Sequence, residues 1–147
     1  MRAKHAGRLV CALLLMLLTT GCTMTFFSLR HDLQSVINAF GGALVGNDPS
    51  GAMNHISPSY QDAHGGYYEF KRDLGLDLLA GYYLSYHVEL EQVRRWGDQA
   101  WAVGYLTAIY RHHGDSAPTS RSGRKEWTFR WESYRWRITS QNAYPYR

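Results

Sequence analysis

The spacing of apolar residues changes period at Gly81, and this change restricts the folds open to the chain. Upstream, Leu29, Leu33, Val36, Ile37, Phe40 and Leu44 recur at helical intervals and form one apolar face of an amphipathic helix. Downstream, Leu84, Tyr86, Val88 and Leu90 alternate with Ser85, His87, Glu89 and Glu91, the period of a half-buried strand. A chain that is helical first and extended afterwards reads as α+β, with helices on one side of an antiparallel sheet. Its 147 residues support one core. A 45% hydrophobic content with 21 aromatic side chains excludes a disordered chain.

The first helix is read with Ser28 as its N-cap and stops at the run Gly46-Asn47-Asp48-Pro49. A second, two-turn helix is expected from Ser50 as N-cap through Ala52, Met53 and Ile56, ending before Pro58. After a loop holding Tyr60, Asp62, Gly65 and Gly66, the residues Tyr67, Phe70, Leu74 and Leu78 predict a third helix ending at Gly81.

The first strand turns at Trp96-Gly97-Asp98. Ala100 to Tyr110 then predicts a strand that is apolar on both faces and therefore central. The polar stretch from Arg111 to Arg124 reads as a long loop. Trp127, Phe129 and Trp131, followed by Trp136 and Ile138, predict a closing hairpin with its turn at Glu132 to Arg135. That register sets Trp131 opposite Trp136, Phe129 opposite Ile138 and Arg130 opposite Arg137. The arginine pair calls for a neutralising charge, from Glu89, Glu91 or a bound anion.

The N-terminus reads as an address. Arg2, Lys4 and Arg8 precede an apolar run from Leu9 to Leu18, the layout of a secretory signal. Ten helical residues rise about 15 Å, half of a bilayer's roughly 30 Å hydrocarbon core, so the run is too short to span. The segment LLTTGC resembles the lipobox of bacterial lipoproteins, with Gly21 before Cys22. The resemblance implies cleavage after residue 21, lipidation of Cys22, a tether over 22–28 and a domain over 29–147. Cys11 falls within the signal, so the mature domain would carry no thiol beyond the lipidated one. Thr23 stands where an aspartate retains many such proteins at the inner membrane, which implies the outer membrane of a bacterial envelope, facing the periplasm. Removing the signal leaves 13 basic residues against 12 acidic, a balance that argues against nucleic acid as a partner.

The mature order of elements, with the stop "GNDPSGAMNHISPSY", the turn "WGDQAW" and the closing "YRWRIT", resembles the nuclear transport factor 2-like superfamily over Leu29 to Gln141. The resemblance implies a cone-shaped domain: two or three N-terminal helices packed on a curved antiparallel sheet of about four strands. It also implies a cavity that different members use for isomerase, cyclase or dehydratase chemistry, for binding or for assembly. In isomerase-like members a catalytic aspartate follows the second helix, and Asp62 beside Tyr60 is the match here. With His87, these are the candidate catalytic residues.

Trp127, Phe129, Trp131 and Trp136 are the candidates to line a cavity for a small apolar ligand. Ala100, Ala102, Gly104, Leu106 and Ala108 are read as an outer sheet face through which a homodimer or partner would pack. His112 and His113 are adjacent on an extended segment and point apart, so no metal site is expected. No phosphate loop, nucleophile elbow or dinucleotide fingerprint is present, and no cofactor is implied. The reading is a membrane-anchored, non-enzymatic binding or assembly domain. The alternative is an isomerase, cyclase or dehydratase that uses Asp62 as base and Tyr60 to orient substrate.

Overall fold

The computed structural model of the protein describes residues 28–143; the expected signal, the lipobox-like segment and Cys22 lie outside them. The chain divides into two units, Met1–His31 and Asp32–Arg147. Of the first, only residues 28–31 are described, and they are helical.

Residues 28–45 are helical (α1). Ser28 is itself helical, so it is not the N-cap that the sequence suggested. Leu33, Ile37, Phe40 and Leu44 of α1 are buried, as their spacing requires. The next helix, α2, is Pro49–Met53, one turn shorter than read, and its cap is Asp48 rather than Ser50. The Asp48 carboxylate accepts from Gly51 N at 2.8 Å, and Pro49 takes the first helical position, where a missing N–H costs nothing. Ile56 is not helical. It forms a parallel bridge with Ile138, and Ser57 N donates to Ile138 O at 2.8 Å.

A two-residue hairpin, β1 (Gln61–Asp62) against β2 (Gly65–Gly66), leads into α3 (Tyr67–Ala80). Glu69 reaches back to Gly66 N at 3.1 Å and satisfies a donor that the first helical turn leaves open. Four long strands follow as one antiparallel sheet in sequence order: β3 (Gly81–Trp96), β4 (Gln99–His112), β5 (Thr119–Glu132) and β6 (Arg135–Ala143). The helices pack on this curved sheet, giving the expected α+β cone.

The closing hairpin has the predicted register, with Trp131 opposite Trp136, Phe129 opposite Ile138 and Arg130 opposite Arg137. Ser133 and Tyr134 both adopt positive φ, 49° and 63°, as a two-residue turn matching the sheet's twist demands. Arg130 lies 3.9 Å from Asp98, while Glu91 pairs with Arg124 at 2.8 Å. The neutralising charge is therefore not Glu91, and no ion pair of Glu89 is found among the described residues.

Two bulges in β3, between Tyr83 and Ser85 and between Leu90 and Gln92, reset its alternation. Leu84, expected inside, is 46% exposed; Tyr83 turns inward in its place, beside Tyr86, which faces inward as read. Gln34 on α1 covers the outer edge of this strand by donating to Val88 O at 2.7 Å and accepting from Leu90 N at 3.1 Å. Gly41 lets α1 approach, because a β-carbon there would overlap the Tyr86 ring.

Two further expectations are corrected. The polar segment read as a loop is mostly strand: β4 continues to His112, and β5 begins at Thr119. Ala100, Ala102 and Ala108 are at most 2% exposed, and Leu106 is also buried. They face the helices rather than solvent. The outer face of β4 carries Trp101, Tyr105 and Thr107, set against Thr128, Arg124 and Ser122 of β5.

Candidate functional site: a cavity beneath the helices

The packed end of the sheet holds most of the aromatic residues that the alternation of the last two strands singles out. Trp127 and Phe129 are 1% exposed and Trp136 is 4% exposed. Trp131 is half-exposed and meets Trp136 edge-on at 5.4 Å. None of the four lines either chamber of the cavity; Trp127, Phe129 and Trp136 fill the core instead, and Trp131 stays half-exposed beside them.

The cavity lies further back along β5. A chamber of about 630 Å³ is walled by Phe40 and Leu44 of α1 and by Phe70 and Leu74 of α3. A second, of about 380 Å³, is floored by Leu106 and Ala108 of β4 and by Gly123. The two share Tyr83, Tyr86, Arg121 and Lys125. Both volumes fall in the range of small-molecule sites.

Asp62 lines the larger chamber. Its two oxygens are already engaged. One accepts from His64 N at 2.7 Å and Gly65 N at 3.1 Å, which organises the β1–β2 turn. The other accepts the Tyr60 hydroxyl at 2.6 Å. Tyr60 is buried, with its ring 4.7 Å from Phe70. Burial raises the pKa of its phenol, and the Asp62 hydrogen bond and charge raise it further, so the phenol stays protonated and holds the carboxylate. The structure thus brings Tyr60 and Asp62 together as read. It does not bring His87 to them: this residue is exposed on the opposite face of the sheet, across from Thr107.

Sequence reasoning missed Arg121, Lys125, Tyr83 and Tyr86. The signal for the first two was the alternation Arg121-Ser122-Gly123-Arg124-Lys125, which on a strand sets residues 121, 123 and 125 on one face. Reading the stretch as a loop hid it. Tyr83 was obscured by the bulge at Leu84. Lys125 is partly buried; desolvation lowers its pKa, the nearby Arg121 lowers it further, and Asp62 opposes both. Among the described residues its ammonium has no hydrogen bond or ion pair. Burial also raises the phenols of Tyr86 and Tyr83, with Tyr83 adding to the former and Asp77 to the latter. The two rings meet edge-on at 6.0 Å.

Solved structures match this fold. The second unit has the nuclear transport factor 2-like fold. A nuclear transport factor 2-like protein with a cystatin-like fold from Novosphingobium aromaticivorans matches with a TM-score of 0.62 and 15% identity, over 83% of this chain and 84% of that one. A nuclear transport factor 2-like superfamily protein from Salmonella enterica matches at 0.65 and 12% identity, over 82% and 94%. A ketosteroid isomerase-like protein from Erwinia carotovora matches at 0.63 and 11% identity, over 76% and 91%. No protein-family model and no curated protein matches the sequence. Identities this low establish the fold, which hosts several activities and does not select among them.

Proposed function

We propose that this protein is an envelope lipoprotein whose cone domain binds a small organic molecule in the two-chambered cavity without transforming it. The observation that carries the binding reading is the larger chamber: about 630 Å³, with apolar walls from Phe40, Leu44, Phe70 and Leu74 set beside polar groups that include Asp62, Arg121 and Lys125. The anchoring rests on the lipobox-like LLTTGC and on Cys22 as the acylated residue. Two or more acyl chains anchor stably where one alone is marginal. Homodimerisation through the outer face of β4 belongs to the same reading, now assigned to Trp101 and Tyr105.

Native mass spectrometry of the full-length protein extracted from envelopes tests the binding. A retained small molecule supports it, and a mass equal to the acylated polypeptide alone, with no adduct from added aromatic probes, overturns it. Labelled palmitate should be incorporated by the native protein and lost in Cys22→Ser; label that persists in the variant overturns the anchor.

A second reading, proton transfer with Asp62 as base and Tyr60 orienting the substrate, is favoured by the position of Asp62 in the cavity wall. Against it stands the hydrogen bonding: a base needs a free oxygen facing substrate, and both oxygens of Asp62 are committed within their own loop.

A further inference from the structure

The cavity's polar groups are not scattered. Arg121 and Lys125 project from the same face of β5 as Gly123, opposite Ala108, Gly104 and Leu106 of β4. Leu106, Ala108 and Gly123 make the floor of the smaller chamber, and no carboxylate lines it. On β3, Glu91 is taken by Arg124 at 2.8 Å.

The Lys125 ammonium is partly buried and has no partner among the described residues. Withdrawing a charge from water without pairing it is unfavourable, and an arrangement of this kind is stabilised when an anion arrives. Tyr83 and Tyr86 add two phenols that border both chambers. Neither hydroxyl has a hydrogen-bond partner among the described residues, and both phenols remain protonated donors.

The larger chamber differs. Three acids border it, and the charge of Asp62 acts on Lys125, but among the described residues none of the three makes an ion pair with Lys125 or Arg121. Asp62 is held by Tyr60 and two backbone amides. Asp73 pairs with Arg72 at 2.9 Å, and Asp77 is exposed on α3. The remaining walls are the apolar side chains of α1 and α3, together with His64, Gln141, Asn142 and the side chains that the two chambers share.

We propose that the ligand is an organic anion with an apolar body: its acidic head sits in the smaller chamber on Lys125 and Arg121, with Tyr83 and Tyr86 as further donors, and its body lies on Phe40, Leu44, Phe70 and Leu74. The inference deepens the binding reading and rests on it. Charge-assisted hydrogen bonds from lysine and arginine are roughly twice as strong as neutral ones, so charge on the head should dominate selectivity.

The test is isothermal titration calorimetry of the full-length protein in detergent, with detergent-only blanks. Its probes are 2-naphthoate and its uncharged isostere 2-naphthamide. The carboxylate should bind at least about tenfold more tightly than the amide. Lys125→Met and Arg121→Gln should each remove most of that preference by weakening naphthoate binding more than naphthamide binding, and Lys125→Arg should retain it. Equal affinity of the native protein for both probes, or a preference that survives both charge-removing variants, overturns the anionic head while leaving the cavity reading intact. Binding of neither probe overturns the cavity reading and this inference with it. The native comparison needs no substitution, so it stands even where a variant fails to fold.

Discussion

The two halves of β5 lie in one strand and have opposite fates. From Trp127 to Phe129 the inward side chains are large, apolar and inaccessible, pressed against Ile138 and Trp136 of β6. From Arg121 to Lys125 the inward positions carry two cations and a glycine, and they face open volume. The same alternation governs both halves, since a strand sends every second residue to one face regardless of its chemistry. What differs is what the helices and β6 place above them. The packed half is a stability element, and the open half has given up core packing for charge and space.

Substitutions should separate the halves. The largest effect is expected for Trp127→Ala, which leaves a void in the packed half and should cost about 3–5 kcal/mol; its denaturation midpoint checks this, and a loss below 1 kcal/mol would erase the contrast. Tyr60→Phe removes the 2.6 Å bond to Asp62 and should cost about 1 kcal/mol, read in the same assay. Lys125→Met should move the other way, stabilising by a few tenths of a kcal/mol because a solvation-starved charge is replaced by an apolar chain of similar length. A marked loss of stability in that variant would mean that Lys125 belongs to the structural half.

The smallest effect is a pH dependence at the packed end. His55 has its pKa lowered by burial first and then by Arg135 and Arg137. Its neutral form is the one compatible with the fold, so its contribution is complete above its ordinary value of 6.5. That contribution is lost as pH falls from there through the lowered folded value. His55→Gln should flatten stability in this window relative to the native protein, as followed by urea titrations at successive pH values. Identical slopes would remove His55 from the acid response.

Element order was legible because period is a local property. The helix face at Leu33, Ile37, Phe40 and Leu44, the helix from Tyr67 to Ala80 and the closing hairpin with its register all follow from side-chain spacing. The errors fell where local chemistry and tertiary placement diverge. Thr119 to Lys125 carries no apolar alternation because its inward positions serve a cavity, so nothing in its hydropathy marked a strand. The alanines of β4 looked like a dimer surface because small residues suit either a close contact between molecules or the floor of a cone.

Of the candidate site, the sequence located Tyr60 and Asp62 and their proximity, two residues apart in a turn. It left out Lys125, Arg121, Tyr83 and Tyr86, whose convergence depends on the bulge between Tyr83 and Ser85 and on the pairing of β3, β4 and β5.

By itself the sequence determined an α+β chain, helices before sheet, with a hairpin of fixed register and a lipobox-like cysteine, because these depend on neighbours a few residues apart. Only the tertiary structure decided which aromatic rings fill the core, which face of β4 is inward, and where the cavity lies. Those outcomes depend on which distant segments meet, and a β-bulge of one residue is enough to reverse the face on which a side chain emerges.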